Sequence, residues 1–164
     1  MDKNTKKNEL LAPGGSLRGA VMALDGGADA VYVGLKRFSA RARAENLAID
    51  ELSRLVNHTR ATGKKVYVAF NTLVKESELP DAASILFDIA ETAPDAIIVQ
   101  DLGILRVIRE FLHEIPVHAS TQMGIHNSAG MKAAEAMGVK RVILERQLTF
   151  KEVAEIARKT PLER

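Results

Sequence analysis

Six times between Glu9 and Arg164 a short apolar run is followed by a segment whose apolar residues recur at helical spacing, and strand-like and helix-like segments alternate strictly. The runs are ELLAPGG, ADAVYVGL, KVYVAFN, DAIIVQD, PVHAS and RVILE. They read as continuous apolar stretches rather than apolar–polar alternations, as strands buried on both faces do, so a parallel sheet with helical crossovers is predicted. Polar residues gather at the C-terminal ends of these runs: Asn71, Gln100 with Asp101, Ser120 with Gln122, and Glu145 with Arg146. A barrel brings all its strand ends to one mouth, whereas an open doubly wound sheet uses mainly the crevice at its switch point. The ring therefore favours an α/β fold of partial TIM-like (β/α) barrel type with about six βα units and parallel strands; the open sheet is the alternative. A closed barrel takes eight units and roughly 250 residues, against 164 here. The expected organisation is a polar tail over residues 1–8 and the N-terminal part of a barrel domain over 9–164. Unpaired edges at the first and sixth strands invite association, so self-association or a missing C-terminal segment is expected to cover them.

With 46% apolar residues, only 4% aromatic ones and no Trp, the core has to be aliphatic, as suits helices on a buried sheet. A net charge of +2 is too small to indicate nucleic-acid or membrane partners by itself, while a pI of 8.9 leaves an acidic partner open. The absence of cysteine excludes a disulfide, a cysteine nucleophile and any cysteine-ligated metal within this chain. MDKNTKKNE is charged and lacks the apolar stretch of a signal peptide, and no run approaches the ~20 apolar residues of a membrane span, so a cytoplasmic location is the expectation. Ser16, Asp101 and the Thr149/Glu152 pair stand at helix-capping positions, and Gly26 and Gly63 at helix ends.

Four segments could carry chemistry. APGGSL places two glycines before a helix N-terminus, either as an anion cradle or only as a tight turn with a cap. Lys36, Arg37, Arg41 and Arg43 lie in the long connection after the second strand, where arginines suit bidentate contacts to carboxylate or phosphate. They form either a site for an anionic substrate, RNA or an acidic metabolite, or an ordinary solvated loop. In HASTQMGIHN the two-residue period puts His118, Ser120 and Gln122 on one face, but no orienting carboxylate accompanies a Ser120 nucleophile, and the histidines lack metal-ligand spacing. At LERQ, Glu145 and Arg146 project to opposite sides; Glu145 could serve as acid, base or clamp at the mouth, or pair structurally with the next helix. Met123, Met131 and Met137 read as core filler.

The ordered set ELLAPGGSLRGAVMALDGGADAVYVGLKRFSARARAENL, VYVAFNTLV and STQMGIHNSAGMKAAEAMGVKRVILERQLTFKEVAEIA resembles the N-terminal part of the collagenase-like peptidase family 32, of unassigned catalytic type, over nearly the whole chain from Glu9. The resemblance implies a TIM-like barrel. It also implies a family historically labelled protease in which several members are oxygen-independent hydroxylases of RNA or of ubiquinone precursors, with a 4Fe-4S cluster on four cysteines downstream of the matched region. This chain has none of those cysteines, so the cluster would belong to a full-length parent. ARAEN and LER look like strand-end signatures of the family. They raise Glu145 as the catalytic candidate and Arg41, Arg43, Asn46, Gln122, Asn127 and Arg146 as substrate-binding candidates, joined by Asn71 from the ring of strand-end polar residues, with no metal ligand in the chain. Three functions follow as expectations: a segment of an RNA-base or aromatic-acceptor hydroxylase, a peptidase, or a non-catalytic barrel piece that binds a partner subunit.

Overall fold

The computed structural model describes residues 8–41 and 44–164, so Arg43 and the predicted tail up to residue 7 lie outside the described residues. The chain runs β1 (Leu11–Pro13), α1 (Leu17–Asp25), β2 (Ala30–Gly34), α2 (Ile49–Thr62), β3 (Lys65–Phe70), α3 (Leu79–Thr92), β4 (Ala96–Val99), α4 (Leu102–Phe111), β5 (Val117–Ala119), α5 (Ser128–Ala136), β6 (Arg141–Val142) and α6 (Phe150–Lys159). Short 3-10 turns occupy Glu76–Glu78 and Thr121–Met123. The strands form one sheet in the order β1-β2-β3-β4-β5-β6, with every neighbouring pair parallel. Spatial order thus follows chain order without reversal. A doubly wound sheet must reverse at its switch point, so this winding is that of a (β/α) barrel.

The two-residue strand period sorts side chains onto two faces. Val31, Val33, Val66, Val68, Phe70, Ile97 and Val99 point outward and pack with Leu52, Leu55, Leu86, Ile89, Ile104 and Ile108 of the helices. Ala30, Tyr67, Ala96 and Ile98 point inward with Leu11, Tyr32 and Ile143. Local signals hold this frame: Ser16 Oγ accepts from the Gly19 N–H at 3.1 Å and Asp101 Oδ1 from the Ile104 N–H at 2.9 Å. Thr149 and Glu152 cap each other reciprocally at 3.3 and 2.8 Å.

Three expectations need correction. The sixth strand is shorter than RVILE because β5 ends at Ala119 and offers no ladder beyond it; the Ile143 N–H still reaches the Ala119 carbonyl at 2.9 Å, but the Glu145 N–H turns to the Ile125 carbonyl. Gln122 does not continue the face of strand five, because Ser120 Oγ accepts from the Gln122 N–H at 3.3 Å and opens the 3-10 turn. Met137 is 37% exposed rather than core, since it caps α5 beyond the buried Met131 and Ala134. The outer edge of β6 is met within the chain, where the Val142 N–H donates to the Glu163 carbonyl at 2.8 Å in a parallel bridge.

Candidate functional site

A cavity of about 440 Å³ opens where the strands end. Its floor is the inner face, with Leu11, Tyr32, Ala69, Ile98 and Ile143; Asn46, Asn71, Ser120 and Gln122 form polar walls, and Arg41 and Arg146 stand at the rim. No Asp, Glu, His or Lys is among the described residues lining it. The Arg41 guanidinium lies 4.6 Å above the centre of the Tyr32 ring, which holds it over the floor by cation–π attraction.

The loop between β2 and α2 presents Arg41 because Gly34 lets it lie against the strand. A Cβ on Gly34 would collide with Ser39 Oγ and sit 2.7 Å from Asn46 Oδ1. Gly34→Ala is therefore expected to lower stability by about 1–3 kcal/mol through overpacking, measured as a shift in the urea midpoint. A change below about 0.5 kcal/mol, the range of an ordinary surface substitution, would show that the loop yields freely. The APGGSL segment takes its tight-turn form: the Gly14 N–H donates to the Tyr32 carbonyl at 2.8 Å, Gly15 has φ +67°, and the Gly15 carbonyl accepts from the Asn46 N–H at 2.9 Å.

Of the residues singled out from the sequence, Arg41, Asn46, Asn71, Gln122 and Arg146 converge on this cavity from four connections. Arg43 lies outside the described residues. Glu145 is not part of the lining; its carboxylate accepts from the adjacent Arg146 N–H at 3.0 Å. Asn127 is not part of it either, because its Oδ1 caps α5 by accepting from the Gly130 N–H at 2.8 Å. Arg37 is drawn outward to Asp81 at 2.9 Å. Tyr32 was not singled out, although the V-Y-V pattern shared by β2 and β3, whose Tyr32 and Tyr67 pair in register, carried the signal.

His118 belongs to a second polar group in the barrel interior, toward the N-terminal ends of the strands. Glu9 accepts from Arg141 at 2.7 Å, from Lys65 at 2.9 Å and from the Tyr67 hydroxyl at 2.8 Å, and Arg141 also reaches Glu163 at 2.8 Å. His118 packs edge-on against Tyr67 with 4.8 Å between ring centres. Burial alone would raise the Glu9 carboxyl, but the hydrogen bonds from Arg141, Lys65 and Tyr67 outweigh it and pull it down to about 2. Burial pushes the His118 imidazole down to about 4, helped by the charge of Arg141, and burial with the hydrogen bond to Glu9 pushes the Tyr67 hydroxyl up to about 12. Sequence reasoning missed Glu9 and Arg141 as a pair, since they lie 132 positions apart.

The model of peptidase family U32 matches residues 15–164. The chain belongs to peptidase family U32. It is 38% identical over 155 residues to tRNA hydroxylation protein P of Escherichia coli K12, covering 94% of this chain and 34% of that protein. It is 34% identical over 160 residues to the 23S rRNA 5-hydroxycytidine C2501 synthase of the same organism, covering 98% of this chain and 24% of that protein. Among solved structures, the U32 peptidase Mk0906 superposes with a TM-score of 0.75 at 14% identity, covering 99% of this chain and 69% of that one, a likeness of fold. The chain thus spans about a third of the length of the first curated relative it matches. As a U32 domain it carries the half-barrel and mouth just described. Among its described residues no helix is long and apolar enough to cross a membrane.

Proposed function

We propose that this U32 chain supplies the substrate-holding mouth of an RNA-base hydroxylase. The observation that carries the reading is the make-up of the cavity: two rim arginines, an apolar floor, amide and hydroxyl walls, and no carboxylate, histidine or lysine among the described lining residues. Arginines of this kind take phosphate oxygens in bidentate fashion. Ser120 and Gln122 offer the donors and acceptors that read the edge of an unstacked base, and Ala69, Ile98 and Ile143 offer an apolar surface against which its ring can lie. The tRNA and rRNA hydroxylation named for the relatives supports the same substrate class, and such a substrate puts the activity in the cytoplasm.

Peptide hydrolysis asks for an activated nucleophile or water next to a base. Ser120 Oγ caps the following turn, and His118 points to the other end of the interior, against Tyr67. The cavity therefore offers an anion and a base a place to bind but no acid–base pair for hydrolysis among its described residues.

An iron–sulfur cluster does not fit these 164 residues: cysteine is absent, and no three His, Cys, Asp or Glu side chains gather among the described residues. In the proposed reading its ligands come from outside this sequence, and the residues here bind and orient the substrate.

The test is to delete the gene in its host, digest total tRNA and rRNA to nucleosides, and compare masses. Loss of a nucleoside heavier by one oxygen than its parent is expected, with restoration by the intact gene and failure of the combined Arg41→Ala and Arg146→Ala variant to restore it. An unchanged nucleoside profile would overturn the reading.

A further inference from the structure

We propose that Asn46 and Asn71 are positioning residues that act on the bound anion through Arg41, not ligands of the substrate; this rests on the reading that Arg41 and Arg146 hold the substrate's anionic part. Both asparagines reach the cavity wall, yet their hydrogen bonds go to the backbone on either side of Arg41. Asn71 Oδ1 accepts from the Ala40 N–H at 3.1 Å, and Asn46 Nδ2 donates to the Arg41 carbonyl at 3.0 Å. Each asparagine is itself anchored. The Asn71 N–H donates to the Phe38 carbonyl at 3.0 Å, and Phe38 stacks on Phe70 of β3 with 4.9 Å between ring centres. Asn46 is 6% exposed, donates its own N–H to the Gly15 carbonyl at 2.9 Å and sits at φ +51°, a left-handed conformation that asparagine tolerates better than most residues.

Arg41 is in this way clamped one residue before its Cα and at its own carbonyl. A long side chain on an untethered loop loses much of its binding free energy to ordering, and fastening the backbone beforehand removes part of that cost. Asn71 Nδ2 has only a long contact, 3.5 Å to Ser120 Oγ, and so keeps donating capacity toward the cavity. A direct contact from that amide and an indirect effect through Arg41 make opposite predictions in a mutant cycle.

The experiment measures filter binding of the purified protein to an unmodified tRNA transcript in three backgrounds, with circular dichroism and melting temperature as the check on folding. Asn71→Ala is expected to weaken binding roughly five- to tenfold in the wild type, by less than about twofold in Arg41→Ala, and by its full factor in Arg146→Ala, because residues that act as one unit are not additive. Asn46→Gly, which keeps the left-handed backbone accessible, is expected to follow the same pattern. An equal loss in all three backgrounds, or no loss from either asparagine variant where Arg41→Ala itself weakens binding, would overturn the positioning role. Wild-type binding by Arg41→Ala would instead overturn the anion site on which the inference rests.

Discussion

Replacing Glu9 by alanine is expected to lower the unfolding free energy by about 3 kcal/mol, the low end of the cost of removing one partner from a buried ionic group, because this group is only partly buried. The Glu9 carboxylate is the shared acceptor of Arg141, Lys65 and Tyr67, and its side chain is only 18% exposed. Without it the Arg141 guanidinium, 13% exposed and with its Nε already lacking a partner, keeps only Glu163 as its anion. The Tyr67 hydroxyl loses its acceptor as well. The loss is also topological. Glu9 precedes β1 and Arg141 is on β6, so their contact is a side-chain tie between the first and last strands of the sheet. Urea unfolding of Glu9→Ala, Arg141→Ala and the double variant should show a double loss smaller than the sum of the singles by more than about 1 kcal/mol, as residues in contact show. A loss under about 1 kcal/mol for Glu9→Ala would mean that solvent screens the group as it screens a surface pair.

Stability is expected to fall in two overlapping steps on acidification. His118 titrates at about 4 in the fold against 6.5 unfolded, so between these values the unfolded chain binds more protons and the folded state loses stability as the pH drops. Glu9 titrates at about 2 against 4.5; the stability it contributes is present above pH 4.5 and lost as the pH falls toward 2. Each step is on the order of 2–3 kcal/mol. Tyr67, pushed up to about 12 from 10, works on the alkaline side: the unfolded chain gives up its proton first, so stability declines from pH 10 toward 12. Urea midpoints recorded across pH should trace this profile, and His118→Phe should flatten the stretch between 6.5 and 4. A profile unchanged by that substitution would place the titration elsewhere.

The two sites differ in how much of them could be read from residues alone. The mouth was largely legible: Asn71, Gln122 and Arg146 are polar residues at the ends of apolar runs, and a parallel (β/α) winding carries strand ends to one side. What the runs could not tell was which neighbour faces inward once a strand stops. β5 ends at Ala119 and β6 at Val142, so the period-two argument expires before Glu145, and Arg146 lines the cavity in its place. Asn127 shows the ambiguity of a polar residue before a helix: the amide that could bind a substrate caps α5.

By itself the sequence determined the six βα units, the parallel pairing of their strands, most helix caps and the aliphatic make-up of the core, because each depends on hydrophobic periodicity, on composition or on residues within one turn of each other. Only the tertiary structure decided that Glu9 and Arg141 meet, that Arg41 lies over Tyr32, and that Asn46 and Asn71 fasten a loop. Those contacts join positions far apart in the chain, and their geometry follows from where the sheet curves and where each strand ends, which no local pattern encodes.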